Sequence, residues 1–352
     1  MRIGIVLHPY GEGKPAGLGR AIYEITRSLI ERDRDNRYVV YLRKKPKMLP
    51  VFSGSNWEIK ILGNRFLWLD LGLWGEKLDV CIFNTPVMPL FIKPKKSIVI
   101  TYDYAYHYFE HPFWLEQYHK FSLRRADRIV AISEYTKQET IKLFDIREEK
   151  VNVVYLGFKN FCEGAPTAKP VLGGKKFFLF VGVIKERKNP LGIVKAFYLL
   201  KEKTHCEHVL ALLGWGKGPY WEEIKIYIKE HSLETSVIID EETRDDGLLP
   251  YYQQAEALLY PSFIEGFGFP VLEAFSCGLP VITSTTSSLP EVGGDAALLV
   301  NPHKTEEIAA AMERILTEKG LRDSLIKKGY EQMKKFSWEN TARGYIDIID
   351  SM

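Results

Sequence analysis

The chain has 352 residues, 46% of them hydrophobic and 26% charged, and a formal net charge of +3. That length suits two domains, and the apolar content can bury a core for each. The near-balanced charge argues against a dedicated nucleic-acid binder, which would carry a strongly basic stripe. The four cysteines, Cys81, Cys162, Cys206 and Cys277, form no C-x-x-C. This argues against a zinc site or disulfide framework and predicts reduced, mostly buried thiols.

Arg2 leads into Ile3-Gly4-Ile5-Val6-Leu7, too short for the apolar core of a leader peptide and read as a buried strand over 2–7. No apolar run reaches the length of a membrane span, which predicts a cytoplasmic chain, peripheral to a membrane at most. Strand patterns follow at 38–42, 57–61, 79–83, 97–101, 128–132 and 151–155. Helical patterns fall between several of them, notably at 18–31 and 134–144. Segment 157–174 is rich in Gly, Pro, Ala and Thr without periodicity and reads as an interdomain linker. A second unit has strands at 177–183, 207–213, 236–239, 256–260, 279–283 and 297–300. Its helices read at 190–202, 219–231, 248–254, 269–277, 304–317 and 319–335, and an amphipathic tail runs from 338 to 349. This alternation predicts an α/β fold with mostly parallel sheets. Two doubly wound domains, 1–160 and 175–335, are expected to face a central cleft, where ligands of such folds bind.

The motifs follow in chain order. Gly17-Leu18-Gly19-Arg20 opens the first helix, where glycines permit close backbone approach and the helix start favours an anion. It lacks the third glycine of a dinucleotide fingerprint. Asp33-Arg34-Asp35 has an Asp-x-Asp form that some enzymes use for a metal, but it lies in a polar turn and reads as a solvated loop, with no metal assigned. Basic clusters at 43–47, 93–96 and Arg124-Arg125 suit ordinary surface charge or an anionic membrane face. Asp103 ends the strand Thr101-Tyr102-Asp103; it can accept a sugar hydroxyl or cap a turn. His107 and His111 read as packing or surface residues.

In the second half, Arg187-Lys188 follows a strand's carboxyl end and can neutralise an anion or form a solvated loop. Gly214-Trp215-Gly216-Lys217-Gly218 reads as a tight strand-to-helix turn. The most informative stretch is Glu265-Gly-Phe-Gly-Phe-Pro-Val-Leu-Glu273. Two carboxylates flank a Gly-x-Gly turn that opens a helix, with Pro270 in the first turn, where its missing N–H costs nothing. An anion seat between two hydrogen-bond acceptors suits a sugar phosphate.

Together these positions resemble glycosyltransferase family 4, the retaining, nucleotide-sugar-dependent transferases of the GT-B fold. The resemblance runs over nearly the whole chain. It takes in Gly17 to Arg20, Thr101 to Asp103, Ala126 to Glu134 and the Arg187-Lys188-Asn189 loop. It continues through Ala257 to Pro270, Glu273 to Ile282, Pro290-Glu291 and Phe336-Ser337-Trp338.

The resemblance implies two Rossmann-like domains, the first for the acceptor and the second for the donor, with the final helix (338–352) returning to the first. It implies that Glu265 contacts the transferred sugar and Glu273 the ribose. Phe267, Gly268, Phe269, Val271 and Leu272 would line the donor seat. Arg187 and Lys188 would hold the diphosphate, the Gly17–Gly19 loop would close over it, and Asp103 would face the reacting sugar. No metal or other cofactor is expected.

The implied reaction is transfer of a hexosyl group, from GDP-mannose or a UDP-hexose, to a glycan or lipid-linked acceptor, as in bacterial surface polysaccharide assembly. The chain departs from the family's usual His-Asp, with Tyr102 before Asp103, and has Val183 where many members have Arg. Two other readings stay open at this level: a nucleotide-sugar epimerase on the same scaffold, or a non-catalytic nucleotide-sugar-binding subunit.

Overall fold

The computed structural model describes residues 1–12, 17–63, 66–109, 113–163, 170–243 and 245–352, with the side chains of Asp245 and Asp246 left aside. Two units emerge: Met1–Gly157 together with Phe336–Met352, and Phe158–Lys335.

The first unit holds a parallel seven-stranded sheet in the order β3-β2-β1-β4-β5-β6-β7. Its strands are β1 (Arg2–Val6), β2 (Arg37–Leu42), β3 (Trp57–Ile61), β4 (Val80–Phe83), β5 (Ser97–Thr101), β6 (Arg128–Ala131) and β7 (Val151–Val153). The helices are α1 (Gly17–Arg32), α2 (Trp68–Leu73), α3 (Ala105–Phe109), α4 (Phe113–Arg125) and α5 (Glu134–Phe144). Every residue of β4 and β5 is buried, as expected of parallel strands covered on both faces. Ser133 starts α5 by accepting the Thr136 N–H at 3.1 Å, and Asp145 ends it in a left-handed conformation.

The second unit holds a parallel six-stranded sheet in the order β10-β9-β8-β11-β12-β13. The strands are β8 (Phe177–Val181), β9 (Val209–Leu213), β10 (Val237–Asp240), β11 (Leu258–Tyr260), β12 (Val281–Ser284) and β13 (Ala297–Val300). Around them lie α6 (Pro190–Thr204), α7 (Pro219–Glu230), α8 (Asp245–Gln254), α9 (Phe269–Ser276), α10 (Leu289–Gly293), α11 (Thr305–Thr317) and α12 (Leu321–Met333). The strand order reverses between β8 and β11, and the carboxyl ends at such a switch point are where doubly wound sheets bind ligands. β8 and β9 approach closely: a Cβ on Gly214 would lie 1.9 Å from the Gly182 carbonyl oxygen. The glycine-rich run 214–218 is a strand-to-helix turn, with Gly218 at the cap of α7.

The chain then returns to the first unit. Ser337 caps α13 (Trp338–Asp350) through the Asn340 N–H at 3.1 Å, and α13 packs against α1. Gly157 lies against Trp338, where a Cβ would meet the Trp338 nitrogen at 2.3 Å. The points where the chain leaves and re-enters this unit are therefore adjacent.

Three readings of the sequence change. Cys162 and Cys277 are not free thiols: they form a disulfide, with Cα atoms 5.2 Å apart. Spacing missed it because 115 residues separate them and the fold, not a motif, brings them together. Asp33 is not on a solvated loop. It is buried and accepts the N–H groups of Asp35 and Asn36, the Asn36 amide and the Tyr38 hydroxyl; these bonds fix the turn between α1 and β2. Helix α4, thirteen residues long, was not singled out, because its outward face is aromatic and blurs the one-sided apolar stripe.

Candidate active site

The site is built at the switch point of the second unit. After β8 the chain makes a short 3₁₀ turn at Glu186–Lys188, and Asn189 then caps α6 in a left-handed conformation, accepting the Gly192 N–H at 3.2 Å. The buried Asn189 amide also donates to the carbonyls of Pro261 (3.2 Å) and Pro302 (2.8 Å). One side chain thus ties the β8–α6 loop to the segments after β11 and β13. Phe263 N–H donates to the Arg187 carbonyl at 2.8 Å, completing the attachment.

That attachment delivers two cations to one carboxylate. Lys188 Nζ donates to Glu265 Oε1 at 2.7 Å, and Arg187 Nη1 donates to Glu265 Oε2 at 3.1 Å. Arg187 Nη1 also donates to the Ile264 carbonyl at 3.0 Å. Tyr260, at the carboxyl end of β11, accepts from Lys188 Nζ at 2.5 Å and donates to Glu265 Oε1 at 2.8 Å. The Lys188 ammonium also lies over the Tyr260 ring, 4.8 Å from its centroid.

Glu265 is 7% exposed. Burial alone would raise its pKa. The charge of Lys188, then that of Arg187, with the hydrogen bonds from Lys188 and Tyr260, outweigh burial and hold it at about 2. Two cations thus converge on one buried carboxylate.

Segment 265–268 is fixed as firmly. The Glu265 N–H donates to Ser287 Oγ at 3.2 Å, and Ser288 Oγ donates to the carbonyls of Glu265 (2.9 Å) and Phe267 (3.0 Å). Gly268 caps α9 with φ of 113°, and a Cβ there would press on Leu289 at 2.8 Å. The site calls for glycine on both counts. Pro270 has no N–H, and the Val271 N–H closes the first turn onto the Gly268 carbonyl at 3.0 Å. Val271 and Leu272 are fully buried core residues, while Phe267 and Phe269 pair edge to face. Glu273, one turn into α9 and half-buried, accepts from the buried Tyr252 hydroxyl on α8 at 2.9 Å.

The sequence motifs named Glu265, Glu273, Arg187 and Lys188. They missed Tyr260, Tyr252, Ser287 and Ser288. Tyrosines beside carboxylates carry no spacing signal, although Tyr260 stands directly before Pro261 at a strand end, where a side chain can reach the site.

The first-unit candidates differ in kind. Gly17 and Gly19 lie in the first turn of α1, and among the described residues a Cβ on either would meet nothing within 4 Å. Residues 13–16, which lead into that turn, lie outside the described residues, as does His111. Asp103 caps a turn, accepting the Ala105 N–H at 3.1 Å. His107 Nδ1 pairs with Glu116 Oε1 at 2.7 Å. Tyr102 buries its hydroxyl without a hydrogen-bond partner among the described residues. Burial, then the Tyr345 phenol, hold its pKa well above the usual value.

Fold and site together define a two-domain α/β protein of the GT-B class with an Arg-Lys-Glu-Tyr cluster beside a helix start. A model of the glycosyl transferases group 1 matches residues 166–332, and one of glycosyltransferase family 4 matches residues 15–159. The chain belongs to glycosyltransferase family 4.

It is 33% identical over 230 residues to O-antigen chain mannosyltransferase B of Escherichia coli, which is 62% of this chain and 59% of that protein. The match thus spans less than two thirds of that relative's length. Among solved structures, sucrose-phosphate synthase from Thermosynechococcus elongatus superposes with a TM-score of 0.76 at 18% identity, over 99% of this chain and 98% of that one. Anabaena HepE in complex with UDP-glucose superposes with a TM-score of 0.75 at 16% identity, over all of both chains. At such identities the likeness is one of fold.

Proposed function

We propose that the chain transfers a hexosyl group from a nucleoside diphosphate sugar to a hydroxyl of a glycan or lipid-linked acceptor, with retention at the anomeric carbon. The observation that carries this reading is the cluster of Arg187, Lys188, Tyr260 and Glu265 beside the start of α9. The preferred donor is GDP-mannose, supported by likeness to an O-antigen chain mannosyltransferase. A UDP-hexose is second, supported by the UDP-glucose complex of a protein with the same fold.

In the transfer, the bond between the anomeric carbon and the diphosphate oxygen breaks while the acceptor oxygen bonds to that carbon. The acceptor proton passes to the departing diphosphate. Negative charge grows on the diphosphate, so the barrier falls where fixed positive charge waits for it. Arg187 and Lys188 supply that charge, and the N–H groups of Gly268 and Phe269 at the α9 start supplement it. Because this machinery handles the charge, the reading needs no metal.

Glu265 first positions the two cations. The three hydrogen bonds from Arg187, Lys188 and Tyr260 do not exhaust the acceptor capacity of the Glu265 carboxylate, which leaves room for a sugar hydroxyl. Glu273, aimed by Tyr252, takes the ribose. The first unit takes the acceptor, with Gly17, Gly19 and Asp103 as its candidate residues.

The setting proposed is the cytoplasm, at the inner face of a membrane that carries the acceptor. Among the described residues no helix is long and apolar enough to cross a membrane, so such contact would be peripheral. The test is product analysis by mass spectrometry with GDP-mannose, a UDP-hexose and a polyprenyl-linked or soluble glycan acceptor. Wild type should give a glycosylated acceptor. Lys188→Ala, checked as folded by circular dichroism, should lose about 10²–10³ in kcat. Wild-type turnover in that variant would refute the assignment.

A further inference from the structure

We propose that the Cys162–Cys277 pair is a thiol–disulfide modification site that sets how tightly the second unit holds the nucleoside of its donor. This rests on the reading above that Glu273 takes the ribose.

The pair closes a ring of contacts around Glu273. Cys277 caps α9 one turn beyond Glu273, and residues four apart stand on one face of a helix. Its sulfur is bonded to that of Cys162. The neighbouring Phe161 packs edge-on against Tyr252 of α8, with ring centroids 5.5 Å apart and planes at 79°. Tyr252 is fully buried, and its hydroxyl donates to Glu273 Oε2 at 2.9 Å. The covalent bond therefore fixes, through Phe161, the ring whose hydroxyl aims the carboxylate.

Reduction leaves that hold slight. The described residues 158–162 carry no strand or helix, and the Cys162 N–H donates to Asn160 Oδ1 at 3.0 Å, within the segment itself. Phe161 is half-buried, and one edge-to-face ring pair is a weak tether. The diphosphate side is held differently: Asn189 ties down the loop of Arg187 and Lys188, and Ser287 and Ser288 tie down Glu265. Reduction thus loosens the ribose side and spares the diphosphate side.

Both cysteines are half-exposed, within reach of a small thiol. A soluble dithiol attacks one sulfur as its thiolate and forms a mixed disulfide. Its second thiol then closes on the first, so the dithiol leaves as a disulfide and its two electrons and two protons end on Cys162 and Cys277. A low-molecular-weight disulfide takes them back. In the proposed cytoplasmic setting, protein disulfides are rare and usually transient and redox-sensing. The transferase works in both states, with a weaker grip on its donor when the pair is reduced.

The test is calorimetric titration of GDP, and separately of inorganic pyrophosphate, into the full chain with and without dithiothreitol, below the melting temperature of the reduced form. Reduction should weaken GDP binding about 2- to 10-fold, the worth of one misaligned hydrogen bond, and leave pyrophosphate binding unchanged. A staple that only stabilises the fold would move neither. Cys162→Ser should bind GDP like reduced wild type whether or not reductant is present, and oxidised Phe161→Ala should shift the same way. Glu273→Ala should bind GDP more weakly and lose the dependence on reductant. The proposal is overturned if GDP affinity is the same in both redox states, or if pyrophosphate affinity falls as much as that of GDP. If Glu273→Ala binds GDP like wild type, the ribose reading falls and this proposal with it; a weakened Glu273→Ala beside a redox-insensitive wild type refutes this proposal alone.

Discussion

At the scale of single residues, Glu265 is the group whose environment departs furthest from what the motif alone suggests. Its spacing to Glu273 marks it as a sugar-facing acceptor, yet its two oxygens are taken first by Lys188, Tyr260 and Arg187. The carboxylate therefore keeps two cations poised at a site they would otherwise avoid. Linkage gives a test. Its pKa falls from 4.5 to about 2 on folding. The stabilisation is thus complete above about 4.5 and lost as the pH falls towards 2, worth about 3 kcal/mol at neutral pH. In urea titrations, the advantage of wild type over Glu265→Gln should be constant between about pH 5 and 7 and shrink steadily below that window. A pH-independent difference would mean that the pairing is not formed in solution. Arg187, Lys188, Glu265 and Glu273 were legible because they sit at strand ends and helix starts that glycine and proline mark. Tyr260 and Tyr252 were not, since a tyrosine in an apolar run looks like core until its hydroxyl finds a carboxylate.

At the scale of elements, α9 carries the site and its entry is the sensitive point. Gly268 combines a positive φ with a clash awaiting any Cβ. Gly268→Ala should cost about 1–3 kcal/mol in denaturant unfolding and weaken nucleotide binding by tilting the helix start; an unchanged midpoint would contradict this. The far end of α9 is joined to the segment after β7, because Cys277, its C-terminal cap, is bonded to Cys162. Thiol titration of the unreduced, unfolded chain should find only Cys81 and Cys206. Cys162→Ser should lower stability by about 2–5 kcal/mol without reductant and leave it unchanged with reductant, and four free thiols would refute the bond. A cytoplasmic setting further requires the transferase to work with this pair reduced. Elements with strong periodicity, such as α1, α6 and α11, were readable from sequence. The six-residue α2 and five-residue α3 and α10 are shorter than the window in which a 3.6-residue period shows.

For the molecule as a whole, the alternation of apolar runs and helical patterns foretold two parallel sheets, because strands covered on both faces leave an unbroken apolar signature at β8 and β9. Strand order was not legible. Only the structure shows that β8 and β11 are neighbours, separated in sequence by β9 and β10, and that this reversal brings the 187–188 loop to Glu265. The account depends on that meeting as the seat of a diphosphate. The most direct test is calorimetric titration of GDP, without sugar or acceptor, into wild type and Lys188→Ala of matched melting temperature. One molecule should bind per wild-type chain, with affinity at least about tenfold weaker in the variant, as loss of one charge-assisted contact requires. Equal affinity in the two proteins would contradict the central claim.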